Sequence, residues 1–173
     1  ANDPVALAGI LAWGKTIRAL REFLIPLGWR RANDRGLPVV VNADGSIALA
    51  VATGDEQTGN PNAAPRTKHP KGPATRAVVD RNNRQLSFAF VLQEVDPDEE
   101  DIDGGAVTWH LLISRTPTEL RCELALPEAF DETRRVVTWR ERIMLSPVGL
   151  DPETPDVAVS TEPDIDIPIA RRA

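Results

Sequence analysis

The densest concentration of groups able to do chemistry is a run of cations in an irregular stretch. Between Gln57 and Arg84 stand Arg66, Lys68, Lys71, Arg76, Arg81 and Arg84, with His69 among them and Asp80 as the one acid. Gly54, Gly59, Pro61, Pro65, Pro70, Gly72 and Pro73 punctuate the same stretch. Glycine exposes backbone N–H groups and proline stiffens turns, so such a segment can cradle an anion with backbone and side-chain donors together. Arg66, Lys68, His69, Lys71 and Arg76 are therefore the candidate anion- or partner-binding residues. Trp29-Arg30-Arg31, an aromatic beside two guanidiniums, is a second candidate contact patch.

Motifs that would turn these groups into an enzyme are missing from the sequence. Gly54 and Gly59 have the glycine spacing of a Walker A loop, but Asn60-Pro61 stands where Lys-Ser/Thr is required, and Asp55 and Glu56 would face the phosphate. The acidic run Asp96 to Asp103 fails as an EF-hand, with Asp101 in place of the glycine and Val107 in place of the bidentate glutamate. It reads better as a solvated connection between strands. His69 and His110 lack the spacing of a zinc motif. Cys122 alternates with Leu120 and Leu124, which makes it a core thiol and separates it from His110. Asp80 and Glu94 near basic residues would suit a nuclease, but nothing singles them out. No catalytic residue, metal ligand or cofactor is expected. The basic stretch also lacks an aromatic for base stacking, so nucleic acid would be held by its backbone alone.

The elements that must position these groups follow from periodicity. Over residues 4–27, Leu7, Ile10, Leu11, Gly14, Ile17, Leu20 and Leu24 recur at helical spacing, with Asp3 as cap, Pro4 at the first position and Pro26 and Gly28 as terminators. Residues 38–53 form a hairpin turning at Asn42-Ala43-Asp44-Gly45. Its second strand carries Ile47, Leu49 and Val51 on one face and the small Ala48, Ala50 and Ala52 on the other. The small face suits close approach by the N-terminal helix. Residues 54–85 read as a long loop, with residues 75–80 adding at most a short element. Strict alternation then predicts a meander of strands at Leu86–Leu92, Val107–Ile113 and Leu120–Leu126. Val136–Leu145 is a fourth strand, although Glu141 interrupts its apolar set of Val137, Trp139 and Ile143.

The fold class is thus α+β: an N-terminal amphipathic helix on a mostly antiparallel sheet, within a single domain over residues 1–145. Residues 146–173 form an extended Pro-rich acidic tail in which Ile165, Ile167 and Ile169 alternate. No apolar run is long enough to span a bilayer. A single cysteine excludes an internal disulfide and agrees with a reducing cytoplasm. Arginine far outnumbers lysine, as in proteins of GC-rich bacteria. The net charge of −6 is unevenly spread. Residues 1–90 hold 12 basic and 7 acidic side chains; residues 91–173 hold 8 basic and 19 acidic. Two irregular excursions of opposite sign favour a non-enzymatic interaction protein, an accessory or adaptor that contacts a protein partner or another copy of itself through the basic loop, the acidic tail or both. A nucleic-acid- or nucleotide-associated protein, including a hydrolase, is the alternative.

Overall fold

The computed structural model describes residues 7–91 and 106–150. The expected cap Asp3-Pro4, the acidic run 96–103 and the tail beyond Leu150 lie outside these residues. The first helix, α1, spans Leu7–Leu24 and tightens into a 3-10 turn at Ile25–Leu27, which Gly28 ends with φ 89°. Strands β1 (Arg30–Asp34), β2 (Leu37–Val41) and β3 (Ile47–Thr53) follow, then a second helix, α2 (Pro73–Val91). The chain returns as β4 (Val107–Arg115), β5 (Glu119–Phe130), β6 (Val136–Met144) and the short β7 (Val148–Gly149). All strands share one sheet in the order β1-β2-β3-β4-β5-β6, with β7 beside the start of β5. Every pairing is antiparallel except β3 with β4, the pair joined through α2. The architecture is α+β, and neither described helix is long and apolar enough to cross a membrane.

Strand alternation gives the sheet two unlike faces. On one, Val51, Leu111, Ile113 and Cys122 pack against Trp13, Ile17 and Leu20 of α1. The other carries Ala48, Ala50, Ala52, Thr108, His110, Leu112, Glu123 and Ala125, all almost fully buried. The N-terminal helix therefore lies on the larger apolar face, contrary to the placement expected from the alanines. The alanines make room instead for bulky neighbours in adjacent strands: His110 stands opposite both Ala50 and Ala125. Trp139 packs on Ala52, Leu112 and Ala125.

Three further expectations are corrected. The strand anticipated from Leu86 belongs to α2, as far as the described residues run, and the long loop ends at Gly72 rather than at residue 85. The inward stripe of α2 is Thr75, Val78, Val79 and Asn82, buried at helical spacing but half polar, so apolar periodicity does not reveal it. In the second patch, Trp29 precedes β1, and Arg30 and Arg31 open it, paired with Val41 and Val40. In β6 the register slips between Leu126 and Pro127, so Glu141 pairs with Leu126 and Trp139 with Pro127. That bulge turns Trp139 to the alanine face and leaves Glu141 beside Ile143 on the other, which resolves the broken apolar set.

Two prolines leave gaps in the ladder, and a helix side chain fills each. Continuing the β2–β3 register places Pro38, which has no N–H, opposite Val51, and the Trp13 indole Nε1 donates to the Val51 carbonyl at 3.1 Å. Continuing the β4–β5 register places Pro127 opposite Thr108. There the Asn82 amide donates to the Thr108 carbonyl and accepts from its N–H, both at 2.9 Å. Each helix is thereby tied to a single position on the sheet.

The stretch 54–72 is a strap laid over the alanine face. Glu123, with no solvent exposure, accepts from the Gly59 N–H at 3.2 Å and from Arg142 Nη2 at 2.6 Å. Arg142 also donates to the carbonyls of Ala63 (2.6 Å) and Asn60 (3.1 Å). Trp139 Nε1 donates to the Pro65 carbonyl at 2.7 Å. Gly54 begins the strap where a Cβ would collide with the Thr58 hydroxyl. Removing one partner of a buried ion pair strands the other, so Glu123→Ala or Arg142→Ala should cost about 3–5 kcal/mol in urea denaturation. Glu123→Leu combined with Arg142→Met should recover most of that loss. Equal losses for the single and double changes would contradict this role for the pair.

Candidate functional site

The site begins with an incomplete strand edge. The β2–β3 pairing ends at Val39 and Ala50, so Val51 to Thr53 have no β2 partner on their outer side. Two groups complete that edge. Trp13 of α1 caps Val51, as above, and the Lys68 N–H of the strap donates to the Thr53 carbonyl at 2.9 Å. Gly54 and Thr67 form a bridge next to it. Between α1 on one side and the strap on the other opens a cleft of about 820 Å³, lined by Gly9, Ile10, Trp13, Thr53, Lys68, His69 and Lys71.

Each wall is held from behind. Ile10 belongs to the same stripe as Trp13 and Ile17 but is 59% exposed. The strap is fixed on both sides of the lysines. Thr67 N–H donates to the Val136 carbonyl (3.0 Å), and Thr67 Oγ1 accepts from the Val136 N–H (3.1 Å) while donating to the His69 carbonyl (3.2 Å). The Lys71 N–H donates to the Arg134 carbonyl at 2.8 Å. The result is a cleft with one apolar wall, one basic wall and Thr53 at the strand end between them.

Electrostatics separate the two lysines from three other cations of the stretch. Arg66 lies 3.5 Å from the Asp55 carboxylate, Arg81 pairs with Asp34 at 2.6 Å, and Arg76 stacks over the Phe130 ring at 5.5 Å. Neither Lys68 nor Lys71 has an ion-pair partner among the described residues. Burial lowers the pKa of Lys71 from its ordinary value, the response of a cation short of compensating charge. Of the five anion- or partner-binding candidates, the fold therefore gathers Lys68, His69 and Lys71 and directs Arg66 and Arg76 elsewhere. From the second patch, Arg31 joins Arg18 and Arg21 along a separate cleft of about 500 Å³ between α1 and β1, while Arg30 is exposed and Trp29 half-buried. Ile10, Trp13 and Thr53 were not legible as site residues, because their spacing is that of ordinary core positions.

Beneath the strap lies His110, 1% exposed, its ring edge-on to Trp139 at 6.2 Å between centroids. The strand register puts His110 and Cys122 on opposite faces of the sheet. Burial first, and the nearby Lys71 charge second, lower the His110 pKa from 6.5 to about 3. The unfolded chain therefore takes up this proton as pH falls below about 6.5, while the folded chain does so only near 3. Stability from this source is complete above the upper value and is lost on acidification towards the lower. Each tenfold difference in proton affinity is worth about 1.4 kcal/mol, so the whole loss amounts to about 4–5 kcal/mol. A His110→Leu variant should lack this component, so its stability in urea should fall less than that of the parent between pH 7 and pH 4. Parallel pH profiles for the two proteins would disprove the assignment.

Compared with protein-family models, with curated protein sequences and with solved structures, the chain matches none, so the cleft is read from its own geometry.

Proposed function

We propose that this is a non-enzymatic binding protein whose cleft takes an acidic, partly apolar segment of a protein partner. One observation carries the reading: two lysines without ion-pair partners among the described residues face an exposed isoleucine and a tryptophan across one cleft. A carboxylate entering there gains charge-assisted hydrogen bonds, and an adjacent aliphatic side chain covers Ile10 and Trp13. Thr53 and His69 add polar groups that can orient a peptide backbone. A nucleic-acid backbone needs a longer track of cations than this cleft offers. Arg66 and Arg76, which would extend such a track, are engaged by Asp55 and Phe130. The accessory or adaptor role follows from the kind of ligand: a short acidic segment is a contact made with another protein.

Trp13 provides the signal for a test. Titrating the chain with a synthetic Glu-Leu-Glu-Leu-Glu-Leu peptide should change tryptophan emission, and the change should vanish in Trp13→Phe. Lys68→Met and Lys71→Met should each weaken binding about tenfold, the equivalent of one charge-assisted contact. Added salt should weaken it further. Unchanged affinity in both lysine variants would refute the reading. Tight binding of a single-stranded oligonucleotide at the same lysines, with none of the peptide, would replace it by the nucleic-acid alternative.

A further inference from the structure

The chain carries a segment that meets the chemical requirements of its own cleft. Residues 151–173 contain six acids and two arginines, and within them Asp164-Ile165-Asp166-Ile167-Pro168-Ile169 alternates carboxylates with isoleucines. In an extended strand, alternate side chains point to opposite sides. Asp164 and Asp166 would then face one wall and Ile165, Ile167 and Ile169 the other. The cleft offers the complementary arrangement, with Lys68 and Lys71 across from Ile10 and Trp13.

Topology brings the two together. The described chain ends at Leu150, whose N–H donates to the Thr118 carbonyl in the turn between β4 and β5. That turn lies at the same end of the sheet as Thr53, since Thr53 pairs with Ile113 near the end of β4. From β7 to β3 there are three strand spacings, so Leu150 and the cleft are separated by roughly 15–20 Å. Residue 165 follows Leu150 by 15 positions, and a chain of that many residues can reach up to about 50 Å when extended, so the separation lies within its reach. A short tether long enough to span the separation gives an effective concentration of about a millimolar. The acidic residues 92–105 lack this advantage: they join α2 to the start of β4, at the opposite end of the sheet.

We propose that residues 164–169 occupy the cleft of their own chain and compete there with the partner's acidic segment. The inference rests on the peptide-binding reading above and adds a regulation to it. A partner must displace the tail, so its apparent affinity is lower than that of the empty cleft.

The test uses the full chain and the same Glu-Leu peptide, read by Trp13 emission, and compares the parent with Asp164→Lys/Asp166→Lys. The variant should bind the peptide about tenfold more tightly, given a millimolar effective concentration and a Kd of about 100 µM for the untethered tail segment. The gain should be the same at every protein concentration. Equal affinities for parent and variant would overturn the tail's occupancy and leave the cleft reading intact. Failure of the peptide to bind either protein would overturn both. A gain that disappears on dilution would place the tail in the cleft of a second copy and overturn the intramolecular assignment.

Discussion

A carboxylate removed from water survives in a fold only if its charge and lone pairs are answered, and Glu123 meets that demand with parts drawn from two places. Arg142, across the β5–β6 pair, supplies the charge, and Gly59 of the strap supplies a backbone N–H. Arg142 in turn needs acceptors for its remaining donors and takes them from Asn60 and Ala63. One buried pair thus holds a stretch of some of the least regular sequence in the chain against the most regular part of the sheet. The strap's later residues follow from that anchorage. Once Gly59 to Pro65 are fixed, Thr67 meets Val136, Lys68 meets Thr53, and the two lysines arrive beside α1. An ion pair of this kind contributes little net stability compared with an apolar replacement, but it defines a geometry in which few other arrangements satisfy every group.

The cleft exists because the sheet is imperfect. Had β2 run the full length of β3, Val51 and Thr53 would have found strand partners and there would be no gap between helix and strap. Pro38 ends that possibility, since it cannot donate to Val51. The Trp13 indole takes over, and the same ring becomes the apolar wall. Asn82 performs the matching service at Thr108, opposite Pro127, which has no N–H to donate. In both places a backbone requirement created by proline selects a polar atom on a helix.

Much of the framework was legible in the sequence because it obeys simple periods. The α1 stripe, the hairpin about Asp44-Gly45 and the strands around Trp109 and Leu124 all follow the spacing of their elements. The α2 helix escaped because two of its four inward residues, Thr75 and Asn82, are polar for reasons set by distant partners. Trp139 was placed on the wrong face because a bulge shifts parity without leaving a mark in residue types. The strap could be seen as irregular and basic, but its fastening could not, since the groups that hold it lie 64 to 82 residues later. For the same reason Lys68, His69 and Lys71 could be nominated from charge alone, whereas Ile10 and Trp13 carry the signature of core.

That long separation has a kinetic meaning. Contacts between residues far apart in sequence form late, because the intervening chain must first lose its freedom. The basic wall cannot settle until β5 and β6 have paired and Arg142 has joined Glu123. During synthesis the lysines therefore leave the ribosome well before the surface that will hold them. The opposite wall, on α1, precedes even them. Completion of the β5–β6 hairpin is thus the event that joins two separately made walls around one cleft, and a chain stalled before it would carry both walls without a cleft between them.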